Sequence, residues 1–342
     1  MHEPSVIDTL PPTAEQAAAT SNALVRHLEL EQRLTPELYR RRFHRQAHEA
    51  TRCLGTGATL LHLENVEWVH VIFYHLLRAL GLYRWGVRNA RAIDVREHVV
   101  PMARLPAAFD GYRILQLTDL HLDLDPALIE VLAERLATVE YDVCVITGDF
   151  RAHTFGEWDS CLRECARLVP HLRGEVYAVL GNHDALEMVP PLEDLGIRVL
   201  LNEAVRLERA PDALFLAGID DSYIYQTHDF APLARVIPND AAAVLLSHSP
   251  EPYREAAAAG FELMMCGHTH GGQVCLPGGF ALWKSTRCPR RMVAGAWRHG
   301  ALRGYTSRGT GTCGVPVRFF CPPEITVHKL QRATSSPAPD AR

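Results

Sequence analysis

Ile114-Leu-Gln-Leu-Thr-Asp-Leu-His121 is a short apolar run that ends in two potential metal ligands, Asp119 and His121. Four later stretches repeat the pattern. Val143-Cys-Val-Ile leads into Gly148-Asp149, and Val176-Tyr-Ala-Val-Leu into Gly181-Asn182-His183-Asp184. Val244-Leu-Leu leads into Ser247-His248, and Leu263-Met-Met-Cys into Gly267-His268-Thr269-His270-Gly271-Gly272. Runs this short, apolar and bounded by glycine or polar residues read as buried strands. Residues 126–138 and 157–170 have amphipathic helical spacing between them, so the alternation is that of an α/β fold. Ligands of open α/β sheets collect at strand carboxyl ends, so five polar clusters at five such ends predict a single crevice.

The residue types suit metal chemistry. Asp and His with one Asn form a mixed nitrogen and oxygen set, better matched to Mn, Fe, Zn or Co than to Mg. In an extended segment residues i and i+2 point the same way, so Asp119 and His121 can grip one ion together. His268 and His270 can do the same, or a turn can send them to different ions. A carboxylate such as Asp149 can bridge two cations, and the flanking glycines allow tight turns close to them.

Taken in order, Asp-x-His, Gly-Asp, Gly-Asn-His-Asp, His and Gly-His-x-His resemble the calcineurin-like metallophosphoesterases over roughly residues 108–331. Gly-His-Thr-His-Gly-Gly-Gln, the entry Phe109-Asp-Gly-Tyr-Arg-Ile and the ending Phe320-Cys-Pro-Pro-Glu-Ile look like one bacterial branch. That branch is similar to phosphodiesterases and to UDP-diacylglucosamine pyrophosphatases. The resemblance implies a two-sheet β-sandwich flanked by helices, and two divalent ions, Mn, Fe or Zn. It places Asp119, His121, Asp149 and His270 around one ion, and Asp149, Asn182, His248 and His268 around the other. His183 would be no ligand but the general acid, oriented by Asp184. The implied reaction is hydrolysis of a phosphodiester or pyrophosphate by a metal-bridging hydroxide, with nucleotide-linked or lipid substrates among those expected. A phosphomonoesterase, including a protein phosphatase, and an inactive interaction module on the same fold are the alternatives. Two departures stand out: Thr118 where relatives often have Ser, and Phe150-Arg-Ala-His153 after Gly148-Asp149. Arg151 is either a substrate-phosphate contact or a surface residue.

Outside residues 108–331, the sequence mostly excludes. A formal net charge of -5 argues against a general nucleic-acid partner. Nine cysteines without a CxxC pair predict reduced thiols and a cytoplasmic chain, with Cys161 and Cys165 as buried apolar residues. Residues 1–20 and 332–342 read as disordered tails, 21–92 as a helical N-terminal extension and 93–331 as the phosphoesterase domain. Thr35-Pro36-Glu37 predicts a helix start, followed by Arg40, Arg41, Arg42 and Arg45 as solvated surface, with His44 and His48 on a solvated face. Gly55-Thr-Gly57 interrupts, and a second helix is expected from Leu60 to Leu82. That helix is apolar on more than one face, which suits a core helix or a peripheral membrane contact through residues 55–92. It is too charged to span a bilayer, which takes about 18 or more consecutive apolar residues. Near the C-terminus, 315–320 and 324–330 read as neighbouring strands, and Arg308 as a residue that could reach the crevice.

Overall fold

The computed structural model describes residues 25–54 and 67–333, except for the side chains of 48–54 and 67. The expected tail at 1–20, the Gly55–Gly57 break, the start of the expected helix at 60–66, the His48 side chain and all but the first two residues of the expected tail at 332–342 lie outside that description; Arg332 belongs to the last strand instead.

Two six-stranded sheets face each other. The first runs β1(Asp94–Met102), β14(Glu324–Arg332), β2(Arg113–Leu117), β3(Val143–Thr147), β4(Val176–Val179), β5(Ile197–Val199) across its width. The second runs β12(Gly295–His299), β13(Leu302–Thr306), β9(Leu263–Cys266), β8(Ala243–Leu246), β7(Asp212–Gly218), β6(Glu203–Arg209). All five expected strands are present, and alternation along them builds the layers. Ile114, Val143 and Val145 point between the sheets and meet Val244, Leu246, Leu263 and Met265. Leu115, Leu117, Cys144 and Ile146 point outward, under α5(Leu128–Leu136), α6(Asp159–Leu168) and α7(Val189–Asp194). The second sheet is covered by α8(Ala231–Val236) and α9(Tyr253–Ala258). Because β2, β3 and β4 are parallel, as are β7, β8 and β9, the ligand-bearing ends of each sheet share one edge.

The N-terminal helices are part of this body. Helix α1 (residues 25–34) and α2(Pro36–Leu54) insert Leu30, Leu34 and Tyr39 into the same core as α5 and α6. Arg42 corrects the expectation of a solvated basic face. It is fully buried, donates to the Asp184 carbonyl at 2.9 Å, lies 3.7 Å from Asp220 Oδ2 and stacks 3.5 Å over the Tyr225 ring. The described part of the expected second helix is α3(Glu67–Ala79), and a further helix, α4(Tyr83–Ala90), follows beyond its expected end. Gly81, at φ 71°, stops the first, with Leu82 N–H bonded to Leu77 O and Gly81 N–H to Arg78 O, a C-terminal motif that needs a left-handed residue.

β1 pairs in parallel with β14 along nine residues. Two further expectations change. Residues 315–320 form no strand beside 324–330; Val274 and Phe319 make an isolated bridge, and the Arg318 guanidinium ties the segment to the carbonyls of Gly311, His270 and Cys321. Arg308 turns away from the crevice to Glu324, at 2.7 Å, and Asp94.

Candidate metal centre

Asp119 and His121 follow β2, Asp149 follows β3, Asn182 and His183 follow β4, His248 follows β8, and His268 and His270 follow β9. All are buried and converge on one cavity of about 250 Å³, which Asp149, Asn182, His183, His268 and His270 help to line. The i, i+2 argument from extended backbone does not hold. Asp119, His121, Asp149, His268 and His270 all have positive φ, five of the ten non-glycine residues that do so among the described residues. A left-handed residue costs roughly 1–2 kcal/mol, so strain gathered at one spot marks a site that the rest of the fold pays to hold.

The turns split the two histidines of the Gly-His-Thr-His segment. His270 joins His121, with Nε2 atoms 3.2 Å apart and rings stacked, and lies 3.6 Å from Asp119 Oδ1. His268 falls with Asp149 and His248. Asp149 Oδ2 lies between the groups, 3.2 Å from His248 Nε2 and 3.8 Å from His121 Nε2. Asn182 Oδ1 completes the second group, 3.0 Å from His248 Nε2.

Glycines make room for this packing. A Cβ on Gly181 would sit 2.1 Å from Asp149 Oδ1, and one on Gly267 would sit 2.0 Å from Thr118 Oγ1. Thr118, one of the two departures, donates its hydroxyl to Thr147 O.

The donor set fits metal ions. His121 Nδ1 meets Arg151 O at 2.7 Å, and His248 Nδ1 meets Thr147 O at 2.8 Å. A carbonyl only accepts, so each Nδ1 carries a proton and each ring turns its Nε2 into the cluster. There His248 Nε2 faces two oxygen acceptors, an arrangement that only a proton or a metal cation on that nitrogen satisfies. Ligand histidines commonly fix their tautomer through such carbonyls. The electrostatics agree. Burial would push the His248 imidazole down, but Asp149 beside it pulls it up to about 10. Burial raises Asp119 to about 7, and Asp149 adds to the rise. Burial would also raise Asp149, yet His248 and His183 hold it well below the usual carboxylate range. His270 is pushed well down by burial, then by His121 and Arg318. These shifts favour positive charge beside Asp149.

Two roles need correction. Asp184 does not touch the His183 ring. Its Oδ2 accepts from Gly181 N and Asp149 N, both at 2.8 Å, and its Oδ1 from Phe150 N at 2.9 Å and Arg151 N at 3.4 Å. It ties the two motif loops together through their backbones. The His183 ring is met instead by Thr154, whose Oγ1 is 3.1 Å from Nδ1. Arg151 is neither a phosphate contact nor a surface residue. It is buried, and its guanidinium is spent on the carbonyls of His183, Thr154 and Gly156, which folds Thr154 against His183. No sequence signal singles out Thr154, because its partner is supplied by loop closure.

The sequence has known relatives. Residues 112–272 match the calcineurin-like phosphoesterases. The chain is 30% identical over 255 residues to YkoQ of Bacillus subtilis, an uncharacterized metallophosphoesterase, and covers 93% of it. The chain belongs to the metallophosphoesterase family. This metallophosphoesterase is also 27% identical over 274 residues to a zebrafish (Danio rerio) transmembrane protein with a metallophosphoesterase domain, of whose length it covers 60%. Among solved structures it is similar to the calcineurin-like phosphoesterase YfkN of B. subtilis, at 12% identity and a TM-score of 0.37, over 58% of this chain and 81% of that one. It is a phosphoesterase with Asp and His clusters able to bind metal. No helix among the described residues is long and apolar enough to cross a membrane.

Proposed function

We propose that this metallophosphoesterase uses two divalent ions, Mn, Fe or Zn, to hydrolyse phosphodiester or pyrophosphate bonds. Asp119, His121, Asp149 and His270 hold one ion, and Asp149, Asn182, His248 and His268 the other. The observation that carries the reading is the split of His268 and His270 into separate groups with Asp149 Oδ2 between them. Bound there, the cations supply positive charge to a phosphoryl group and acidify water beside it. The chain's own residues do the rest. Asp184 and Arg151 lock the loops, and Thr154 holds the His183 ring at the cavity wall, with Nε2 3.9 Å from Asp149 Oδ2. From there His183 can hand a proton to a leaving oxygen, a contribution of about 100- to 10,000-fold.

The test uses bis-p-nitrophenyl phosphate beside p-nitrophenyl phosphate, on chelated protein reloaded with Mn. Turnover of the diester that is abolished by His248→Ala supports the reading. Turnover of the monoester alone replaces it with a phosphomonoesterase or protein phosphatase. A chain that binds no metal and turns over neither substrate is an interaction module.

A lipid-linked substrate met at a membrane surface is favoured by what surrounds the cavity. At about 250 Å³ it holds a phosphoryl group and its immediate substituents, so a larger substrate must extend outward. Beside its mouth, Val69 and Trp283 line the wall, and the apolar side chains of Trp68, Val71, Ile72, Phe280, Leu282 and Trp283 stand exposed. Arg78 is exposed on α3 and Arg84 and Arg88 on α4, as a surface facing anionic headgroups would have them. Deleting the first hundred residues would remove core side chains, so the contact is tested by point changes. Ile72→Ser with Trp283→Ser should reduce co-flotation with anionic liposomes; equal flotation removes the idea.

A further inference from the structure

Cys313 lies in the loop that follows β13, and that loop is fastened to both ligand-bearing segments. Thr310 N and Gly311 N donate to the carbonyls of Thr118 and Asp119, each at 2.9 Å. A Cβ on Gly311 would sit 2.2 Å from Leu120 O, so the two backbones are in contact. The buried Arg318 guanidinium donates to Gly311 O at 2.6 Å and to His270 O at 3.2 Å, joining the loop to the other segment. Gln273, which ends the Gly-His-Thr-His-Gly-Gly-Gln stretch, then grips Cys313 by both sides of its backbone. Its Oε1 accepts from Cys313 N at 2.8 Å, and its Nε2 donates to Cys313 O at 2.9 Å. A side-chain amide with both ends committed to one residue holds that residue in a set place.

That place is beside the His121 and His270 pair. The sulfur lies within 4.8 Å of the ligand nitrogens of both histidines, and Cys313 lines the same cavity. The other seven cysteines whose side chains are described are buried, whereas Cys313 is partly exposed. Nitrogens at about 2.0–2.1 Å from one zinc ion and a sulfur at about 2.3 Å from it lie no more than about 4.4 Å apart in any arrangement. The two Nε2 atoms, 3.2 Å apart, already suit one ion, and the sulfur is close enough to join them with at most a small shift.

Resting on the two-ion reading, we propose that Cys313 Sγ is a further ligand of the ion held by Asp119, His121, Asp149 and His270. A thiolate is a soft donor, so this position favours zinc or iron over manganese, while the all-nitrogen-and-oxygen partner position does not share the bias. The two ion positions are therefore chemically unequal.

The experiment is a cobalt(II) titration of the metal-free full chain, followed by absorption. Sulfur-to-cobalt charge transfer in the near ultraviolet is expected in the unaltered protein and in His248→Ala, and is expected to vanish in Cys313→Ser. Zinc-over-manganese selectivity in competition should fall at least about tenfold in Cys313→Ser. Cobalt bound with visible ligand-field bands but no charge transfer, or charge transfer that persists in Cys313→Ser, overturns the proposal and leaves the two-ion reading standing. No cobalt bound overturns both. Should Cys313→Ser fail to fold, iodoacetamide labelling of the unaltered chain decides: zinc should protect Cys313 by at least about tenfold in rate, and an unchanged rate overturns the proposal.

Discussion

Replacing Asp184 by Asn tests whether this residue holds the site together or orients His183. The carboxylate accepts four backbone N–H groups, three of them at 2.8–2.9 Å, from Gly181, Asp149 and Phe150. An amide of the same shape keeps one oxygen, which can go on accepting from one pair of donors. Its NH2 faces the other pair and leaves two buried N–H groups without an acceptor. Each orphaned buried donor costs about 1–3 kcal/mol, so the loss is roughly 2–6 kcal/mol. Against a typical stability of about 5–15 kcal/mol this is a large share, yet one that leaves a folded protein to study. Urea unfolding of the chelated protein, followed by circular dichroism, measures it. Because Gly181 and Asp149 anchor the loops that carry Asn182 and Asp149 itself, metal affinity should fall as well. The reasoning is wrong if Asp184→Asn keeps stability within about 0.5 kcal/mol and full metal content, while its pH–rate profile shifts as that of His183→Ala does.

His183→Ala should keep both its metal content and its stability and lose about 100- to 10,000-fold in turnover for a poor leaving group, with a smaller loss for p-nitrophenolate; equal losses for both leaving groups would contradict a proton-donor role. Arg42→Met leaves Asp220 buried without its cation and should cost about 3–5 kcal/mol in urea unfolding, with Asp220→Asn recovering part of it; an additive double variant would count against the pairing. In the metal-free protein Asp119 and His248 are raised to about 7 and about 10, so at pH 6 both carry protons that a cation must displace. Calorimetry in buffers of different ionisation enthalpy should therefore find about two protons released at pH 6 and about one at pH 8, with affinity rising with pH; proton release that does not change between these values would refute the assignment. The same raised values mean that the stability these two groups lend the metal-free fold is present at low pH. It is lost as pH rises through about 7 for Asp119 and about 10 for His248, and the pH dependence of urea unfolding measures this.

The sequence by itself determined the five central strands and the polar residues that follow them. Both signals are local: an apolar run of strand length and a Gly, Asp or His cluster stand in contiguous residues such as Val143–Asp149. The order of those clusters carries the resemblance to the calcineurin-like metallophosphoesterases, and it is that resemblance that implies Asp119, His121, Asp149, Asn182, His248, His268 and His270 as ligands. What it misjudged depends on groups brought together from far apart in the chain. Arg42 reads as solvated in a run of arginines, and only the packing of α2 against the Asp184 loop buries it, 142 residues away. Asp184 reads as the partner of its neighbour His183, yet a left-handed turn at Asp149 presents backbone donors to its carboxylate first. Thr154, Gln273 and Cys313 have no distinguishing pattern; their roles arise from loop closure and from hydrogen bonds spanning up to 40 residues. Periodicity and short motifs report what a residue can bury or bind. Which donor meets which acceptor is decided only when the two sheets close, because every buried polar group must then take a partner from whatever the fold has placed beside it.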